Sequence, residues 1–249
     1  MDFKTTIKVV PIEDASKLED LRVQSYASCI GFVINPSIMK WTYNDSRHYN
    51  LGAYVGNRLV SVMRVEVAYT LAEVEGKLQV KWQFEPLQFP VMVLSKAATC
   101  DSVKSSGLNA LLRHWAFQIA KEWGVSHVLG TFVEGSPRQA SMEEMGYTFY
   151  LNSKGWKGHF ESDEKIVVAA LNVEEKLDQA LSVTHRISAS LFDKYAFLPD
   201  LEDLIMPPRL QLTGAANGSV KSKSRSASAR GVNATRLGKK RKANQKKRA

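Results

Sequence analysis

Apolar positions along this chain alternate with two periods, one near 2 and one near 3.6, and the switches between them mark its elements. Thr5 to Val10 is β-branched and loosely alternating, which predicts a first strand ended by Pro11. Asp14 or Ser16 can cap a helix whose apolar positions include Leu18, Leu21 and Tyr26 and which ends near Cys29-Ile30-Gly31. The stretch 32–49 holds Pro36, Trp41, Asn44, Asp45 and His48 and reads as a loop with a short helical piece. Leu51 to Val55 and Arg58 to Thr70 read as antiparallel strands around Gly56-Asn57, because both turn residues tolerate positive φ. Lys77 to Phe84 reads as a further extended arm, and Pro86 and Pro90 bracket a break.

The stretch from Val91 to Tyr147 organises the rest. Val91-Met92-Val93-Leu94 is a continuous apolar run, as in a strand covered on both faces. Ser105 or Ser106 precedes a helix from Gly107 to Trp123, with a broad apolar face that includes Leu108, Leu111, Leu112, Trp115 and Phe117, and Gly124 as its stop. Val125 to Val133 follows as a strand, so a right-handed parallel crossover is expected. Pro137 suits the first turn of a helix that stops at Gly146. Tyr147 to Leu151 and Lys165 to Asn172 read as two antiparallel strands, Glu174 to Phe192 as a helix, and Leu201 to Met206 as a last turn. In a strand–turn–helix unit of this kind the first amides of the helix have no intrahelical partner and suit a phosphate. Lys104 adds a point charge, Ser105 and Ser106 add hydroxyls, and Gly107 allows close approach; an ordinary serine-capped connection reads the same way.

Charge changes the picture only at one end. The 249 residues carry a net charge of +9, yet no acidic residue follows Asp203. Residues 214–249 hold 12 Lys and Arg, leaving 22 basic against 25 acidic residues in the body. That composition has little to bury, so 1–213 is expected to be one folded domain and 214–249 a disordered basic tail. Lys239-Lys240-Arg241-Lys242 and Lys246-Lys247-Arg248 suit weak, non-specific, salt-dependent contact of 221–248 with nucleic acid, or simple solubility. Hydrophobic content of 44% is enough for a core. Two cysteines make no disulfide framework, and there is neither an apolar signal core nor a run long enough to span a bilayer. A cytoplasmic protein is expected. His48, His114, His127, His159 and His185 share no metal-ligand spacing, so no metal site is expected. Cys100 reads as an inert free thiol.

The order of elements, with Lys104-Ser105-Ser106-Gly107-Leu108-Asn109 in the carrier-binding turn and Gly146-Tyr147 closing the next helix, resembles the GCN5-related N-acetyltransferase superfamily over about Thr5 to Asn172. Leu21-Arg22 with Tyr26, then Trp41, Asp45, Arg64 and Ser95-Lys96, look most like its N-acyl amino acid synthase and acyl-homoserine lactone synthase branch. The resemblance implies an α+β fold, an α/β/α sandwich with a mixed central sheet, and an N-acyltransferase taking its acyl group from acyl-CoA or acyl carrier protein. The branch's glutamate falls on Val93, and the wider family's frequent tyrosine acid falls on Met142. A second expectation follows: a catalytically degenerate binding or scaffold protein attached to nucleic acid or a nucleoprotein assembly by its tail.

Acyl transfer to an amine needs the amine neutral, a proton for the leaving thiol, and a donor for the oxyanion. Glu134 and Glu66 are the candidate catalytic carboxylates. Leu94, Ser95, Lys104, Ser105, Ser106, Gly107, Leu108 and Asn109 are the candidate carrier-binding residues. Arg22, Trp41, Asp45 and Arg64 are candidates for the acceptor side, or for an ion-pair network that ties the first helix to the sheet.

Overall fold

Eight strands form one mixed sheet in a computed structural model that describes residues 5–27, 39–151, 166–197, 201 and 203–209. In chain order the strands are β1 (Thr5–Val9), β2 (Tyr49–Val55), β3 (Arg58–Ala68), β4 (Val91–Thr99), β5 (His127–Val133), β6 (Thr148–Leu151), β7 (Ile166–Asn172) and β8 (Tyr195–Phe197). They lie side by side as β6-β7-β5-β4-β3-β2-β1-β8. β4–β5 and β1–β8 are the parallel pairs; the others are antiparallel. The helices are α1 (Ala15–Ala27), α2 (Tyr43–Arg47), α3 (Leu71–Leu78), α4 (Leu108–Glu122), α5 (Arg138–Glu144) and α6 (Val173–Phe192). Cys29 and the basic tail lie outside the described residues.

Alternation along β3 and β4 decides what each helix covers, since residues paired across an antiparallel ladder share a face. Met63, Val65, Met92 and Leu94 join Leu111, Leu112 and Phe117 of α4 in the largest core cluster. On the opposite face Val62 and Ala98 pack beneath Leu18 and Leu21 of α1. Further along that face Val91 and Val93 pack beneath Val74 and Leu78 of α3. Each such leucine or phenylalanine contributes about 1.5–3 kcal/mol through burial. α6 then packs against α4 as a second layer. Its start is fixed by Asn172, whose side chain accepts from the Glu175 amide at 3.3 Å, and by Glu174 and Glu175 at the positive end of the helix dipole.

Two expectations change. Lys77 to Phe84 is not an extended arm: Thr70 caps α3 by accepting from the Glu73 amide, and Val74 and Leu78 bury one face of it. Neither Ser105 nor Ser106 caps α4; Gly107 is its N-cap, at φ +91. The last turn expected over Leu201 to Met206 is present at Leu201 and Asp203 and does not reach Leu204. Beyond Leu201 the chain is held by its carbonyls, Leu204 accepting from Trp123 Nε1 and Ile205 from the Tyr49 hydroxyl, both at 2.9 Å. β8, three residues paired with β1, has no sequence counterpart, since so short a segment carries no period.

Gly107 explains itself by packing. A Cβ there would lie 2.8 Å from the Ile187 carbonyl oxygen of α6, in a backbone conformation that side chains rarely adopt. Gly107→Ala is therefore expected to cost about 2 kcal/mol or more in urea unfolding. Gly124→Ala, at φ +61 with open space around it, is expected to cost only the conformational part, about 1–2 kcal/mol. Equal losses would remove the packing argument.

Candidate functional site

The parallel pair β4–β5 is bonded at only three positions, Met92–Val128, Val93–Leu129 and Leu94–Gly130. Beyond them β4 continues to Thr99, bonded to β3, while β5 continues to Val133, bonded to β7. Among the described residues the two halves of the sheet thus part after Leu94 and leave one backbone edge of β4 without a neighbouring strand. The cause lies in β4 itself. Its register against β3 slips between Val62 and Arg64, so that Lys96 and Ala97 both stand opposite Met63, and Lys96 takes φ +47. Such a bulge bends the strand and increases its twist. At the last pair, Gly130 brings no side chain; a Cβ there would sit 3.3 Å from the Leu94 carbonyl oxygen.

The turn that leaves β4 passes through a 3-10 segment, Asp101–Val103, and reaches α4 at Leu108. The first intrahelical bond is Leu111 N–H to Gly107 O at 2.9 Å, so the amides of Leu108, Asn109 and Ala110 precede it and suit an anion. Lys104, Ser105 and Ser106 are exposed, Lys104 pairs with Asp101, and Ser105 is held at φ +64. Among the described residues, Asn109 Nδ2 is buried with no hydrogen-bond partner. A side chain at Gly107 would meet the backbone of α6, a packing reason for glycine that the sequence reading did not contain.

On the face beneath α1 and α2, the strands carry a buried charged cluster. Arg22 of α1 is 0% exposed and Asp45 of α2 is 1% exposed. Arg22 Nη2 donates to Asp45 Oδ1 at 2.9 Å and to Asn50 Oδ1 at 2.8 Å. Arg64 Nη1 reaches the same Asp45 oxygen at 3.4 Å, its Nε donates to Ser95 Oγ at 3.1 Å, and its Nη2 pairs with Glu66 Oε2 at 2.9 Å. Ser95 Oγ donates to Glu66 Oε2 at 2.6 Å, and Lys77 of α3 reaches Glu66 Oε1 at 3.2 Å. Lys96 Nζ lies 3.8 Å from Asp45 Oδ2, whose other contacts are the Thr42 amide and hydroxyl. Among the described residues, two donors of Arg22, Nε and Nη1, are buried without a partner.

Burial alone would raise the Asp45 and Glu66 pKa values, but the neighbouring guanidinium and ammonium groups outweigh it and hold both carboxyls below the usual range. Burial, then Lys77, pushes His48 down to about 4. Its neutral Nε2 accepts from Lys77 Nζ at 3.0 Å. Burial, followed by Arg64, pushes Lys96 down to about 8, with the attraction of Asp45 only partly opposing.

The structure therefore brings Arg22, Asp45, Arg64 and Glu66 together and adds Ser95, whose hydroxyl bonds Arg64 and Glu66. Glu134 stands exposed on the turn after β5. Trp41 packs against the core beneath α1, its amide donating to Glu19 Oε1 at 2.7 Å and its indole N–H to Ser46 Oγ at 2.8 Å. Sequence reasoning missed Lys77, His48 and Asn50, and gave Lys96 no part in the cluster. Nothing periodic marks these residues; only alternation from Arg64 to Glu66 hinted that two charges share a face. Position 93, where the resembling branch has glutamate, holds a buried valine, and the residue directly across the ladder from it is Glu66. A carboxylate thus remains on that face.

No protein-family model matches the sequence, and no curated protein does. Solved structures do match. The N-acyl amino acid synthase FeeM from uncultured soil microbes aligns with TM-score 0.55 at 14% identity, over 72% of this chain and 96% of its own. The acyl-homoserine lactone synthase LasI aligns with TM-score 0.52 at 14% identity, over 71% and 94%. The CoA-dependent acyl-homoserine lactone synthase BjaI, solved with MTA, aligns with TM-score 0.52 at 16% identity, over 83% and 95%. The chain has the GCN5-related N-acetyltransferase fold, and its likeness runs to structures of the N-acyl amino acid and acyl-homoserine lactone synthase branch.

The cluster has a pH signature. A histidine whose folded pKa is near 4, against 6.5 unfolded, binds fewer protons folded than unfolded between those values. Stability is then full above pH 6.5 and falls as the pH drops towards 4, by at most about 3 kcal/mol for this one residue. His114 and His127, also pushed down by burial, act in the same direction. The diagnostic is therefore the difference between the unaltered chain and His48→Gln, which should have the shallower pH dependence in urea unfolding from pH 7 to 4.

Proposed function

We propose that this chain is an N-acyltransferase: it takes an acyl group from a thioester carrier, acyl-CoA or acyl carrier protein, and transfers it to an amine. The divergence of β4 and β5 past Leu94 and Gly130 carries this reading. It would open a slot beside backbone amides of β4, with the first turn of α4 following the same strand. Amides on the free edge of β4 would donate to the thioester carbonyl and, more strongly, to the oxyanion that forms when the amine attacks. The amides of Leu108 and Asn109, at the positive end of α4, would hold the carrier's phosphate. The acceptor would approach from the face of the charged cluster, where Arg22, Arg64, Asp45 and Glu66 are fixed by one another. FeeM, LasI and BjaI, which share the fold, are acyl-transferring synthases by name, and BjaI is CoA-dependent.

Thermal and urea unfolding with octanoyl-CoA, dodecanoyl-CoA, acetyl-CoA and free CoA tests the reading. A carrier present at 100 times its dissociation constant should stabilise the chain by about 2.7 kcal/mol. Release of free thiol in the presence of a panel of primary amines should follow. Binding without thiol release would favour the degenerate scaffold. No shift with any thioester, on CoA or on acyl carrier protein, would end the acyltransferase reading.

A further inference from the structure

The buried cluster holds more positive charge than its carboxylates can neutralise. Among the described residues four cationic side chains, Arg22, Arg64, Lys77 and Lys96, share two carboxylates, Asp45 and Glu66. Keeping every one of them charged away from water is costly. An arginine cannot shed its proton inside a protein, so relief falls to a lysine. Lys77 has a direct partner, Glu66 Oε1 at 3.2 Å. Lys96 has none as close: its nearest carboxylate oxygen is 3.8 Å away and already takes two hydrogen bonds from Thr42, one from the amide and one from the hydroxyl. Its side chain is only 13% exposed.

Lys96 also sits at the point that makes the slot. It is the left-handed residue of the β4 bulge, two positions past the last bonded pair of the diverging strands. The bulge turns its side chain to the cluster face, where Asp45 lies, while its backbone belongs to the strand edge that borders the slot.

We propose that Lys96 is the residue that moves the proton in the acyl transfer. This rests on the acyltransferase reading above and adds to it the base and the acid. The neutral Lys96 amine takes one proton from the acceptor's ammonium. The freed nitrogen attacks the thioester carbonyl; the C–N bond forms, and the nitrogen sheds a second proton to water. The C–S bond breaks, and Lys96 returns its proton to the departing thiolate. Thioester and ammonium thus become amide, thiol and one proton, with no other reactant.

The charges around Lys96 agree with this role. Arg22 on α1 and Arg64 on β3 disfavour its charged form; Asp45 on α2 and Glu66 on β3 favour it, and burial decides the balance towards about 8. Tyr26 on α1 bears on Arg22, and Lys77 on α3 and His48 bear on Glu66. Near pH 7 about a tenth of Lys96 would then be neutral, enough to cycle.

Two measurements on the full chain test the proposal. The first is the titration of Lys96 Nζ by NMR in 15N-lysine-labelled protein, its signal assigned by its loss in Lys96→Arg. The second is kcat/KM for thiol release from an acyl-CoA across pH 6 to 10, for the unaltered chain, Lys96→Arg and Lys96→Met. The expected result is an Nζ inflection near pH 8, a matching acidic limb in kcat/KM, and a fall of at least about 100-fold in both variants. Lys96→Arg keeps the positive charge and should still unfold cooperatively and bind the acyl-CoA. An Nζ that stays charged to pH 10, or a Lys96→Arg enzyme with its rate and acidic limb intact, overturns the role of Lys96 and leaves the acyltransferase reading standing. No thiol release by the unaltered chain with any amine removes that reading and Lys96's role with it.

Discussion

One irregularity in one strand governs this molecule: the extra residue that β4 inserts opposite Met63. A parallel pair held at three positions would otherwise extend its ladder, because every unpaired amide in a sheet interior costs free energy. The bulge at Lys96 bends β4 away while β3 still holds it, and β7 holds β5 in place. Among the described residues β4 and β5 share no ladder bond past Leu94 and Gly130, and that parting is what the acyltransferase proposal uses. The same bulge turns Lys96 onto the face that carries Arg64, Glu66 and Ser95. The parting of the strands and the placing of Lys96 beside the cluster therefore share one cause.

The cluster is held from several directions. α1 supplies Arg22, α2 supplies Asp45, α3 supplies Lys77, and the sheet supplies Arg64, Glu66 and Ser95. Cutting one buried partner would leave another charge unpaired, which generally costs about 3–5 kcal/mol. α2, only five residues long, persists because Asp45 bonds the Thr42 amide and hydroxyl with one oxygen and meets the guanidinium groups with the other. The capping bond thus fixes the carboxylate as well as the helix. On the far side of the sheet α6 presses against the Gly107 turn, so the start of α4 is set by packing as much as by its own sequence.

Much of the fold was legible. The apolar run Val91–Leu94, the broad face of α4 and the immediate return at Val125 fixed the parallel crossover, because its helix and strands are long enough to carry a period. α3 was misread because Leu71, Val74 and Leu78 sit among polar residues, and Gly76 looks like a break although nothing crowds it. Arg22, Asp45 and Arg64 were found through resemblance. Lys96 was not, because a lysine in a strand ordinarily reads as an edge charge. Only the bulge, which no residue type announces, tells which face it takes.

The sequence by itself determined the longer helices and strands, their order, and that the positive charge is concentrated after Asp203, since propensity, period and charge are local properties. Tertiary structure decided the rest: the parting of β4 from β5, the use of Gly107 for a helix contact, and the gathering of six ionisable residues from β3, β4, α1, α2 and α3 into one buried network. These depend on distances between segments far apart in the chain, and in a low-dielectric interior it is distance and burial that set whether a lysine keeps its proton.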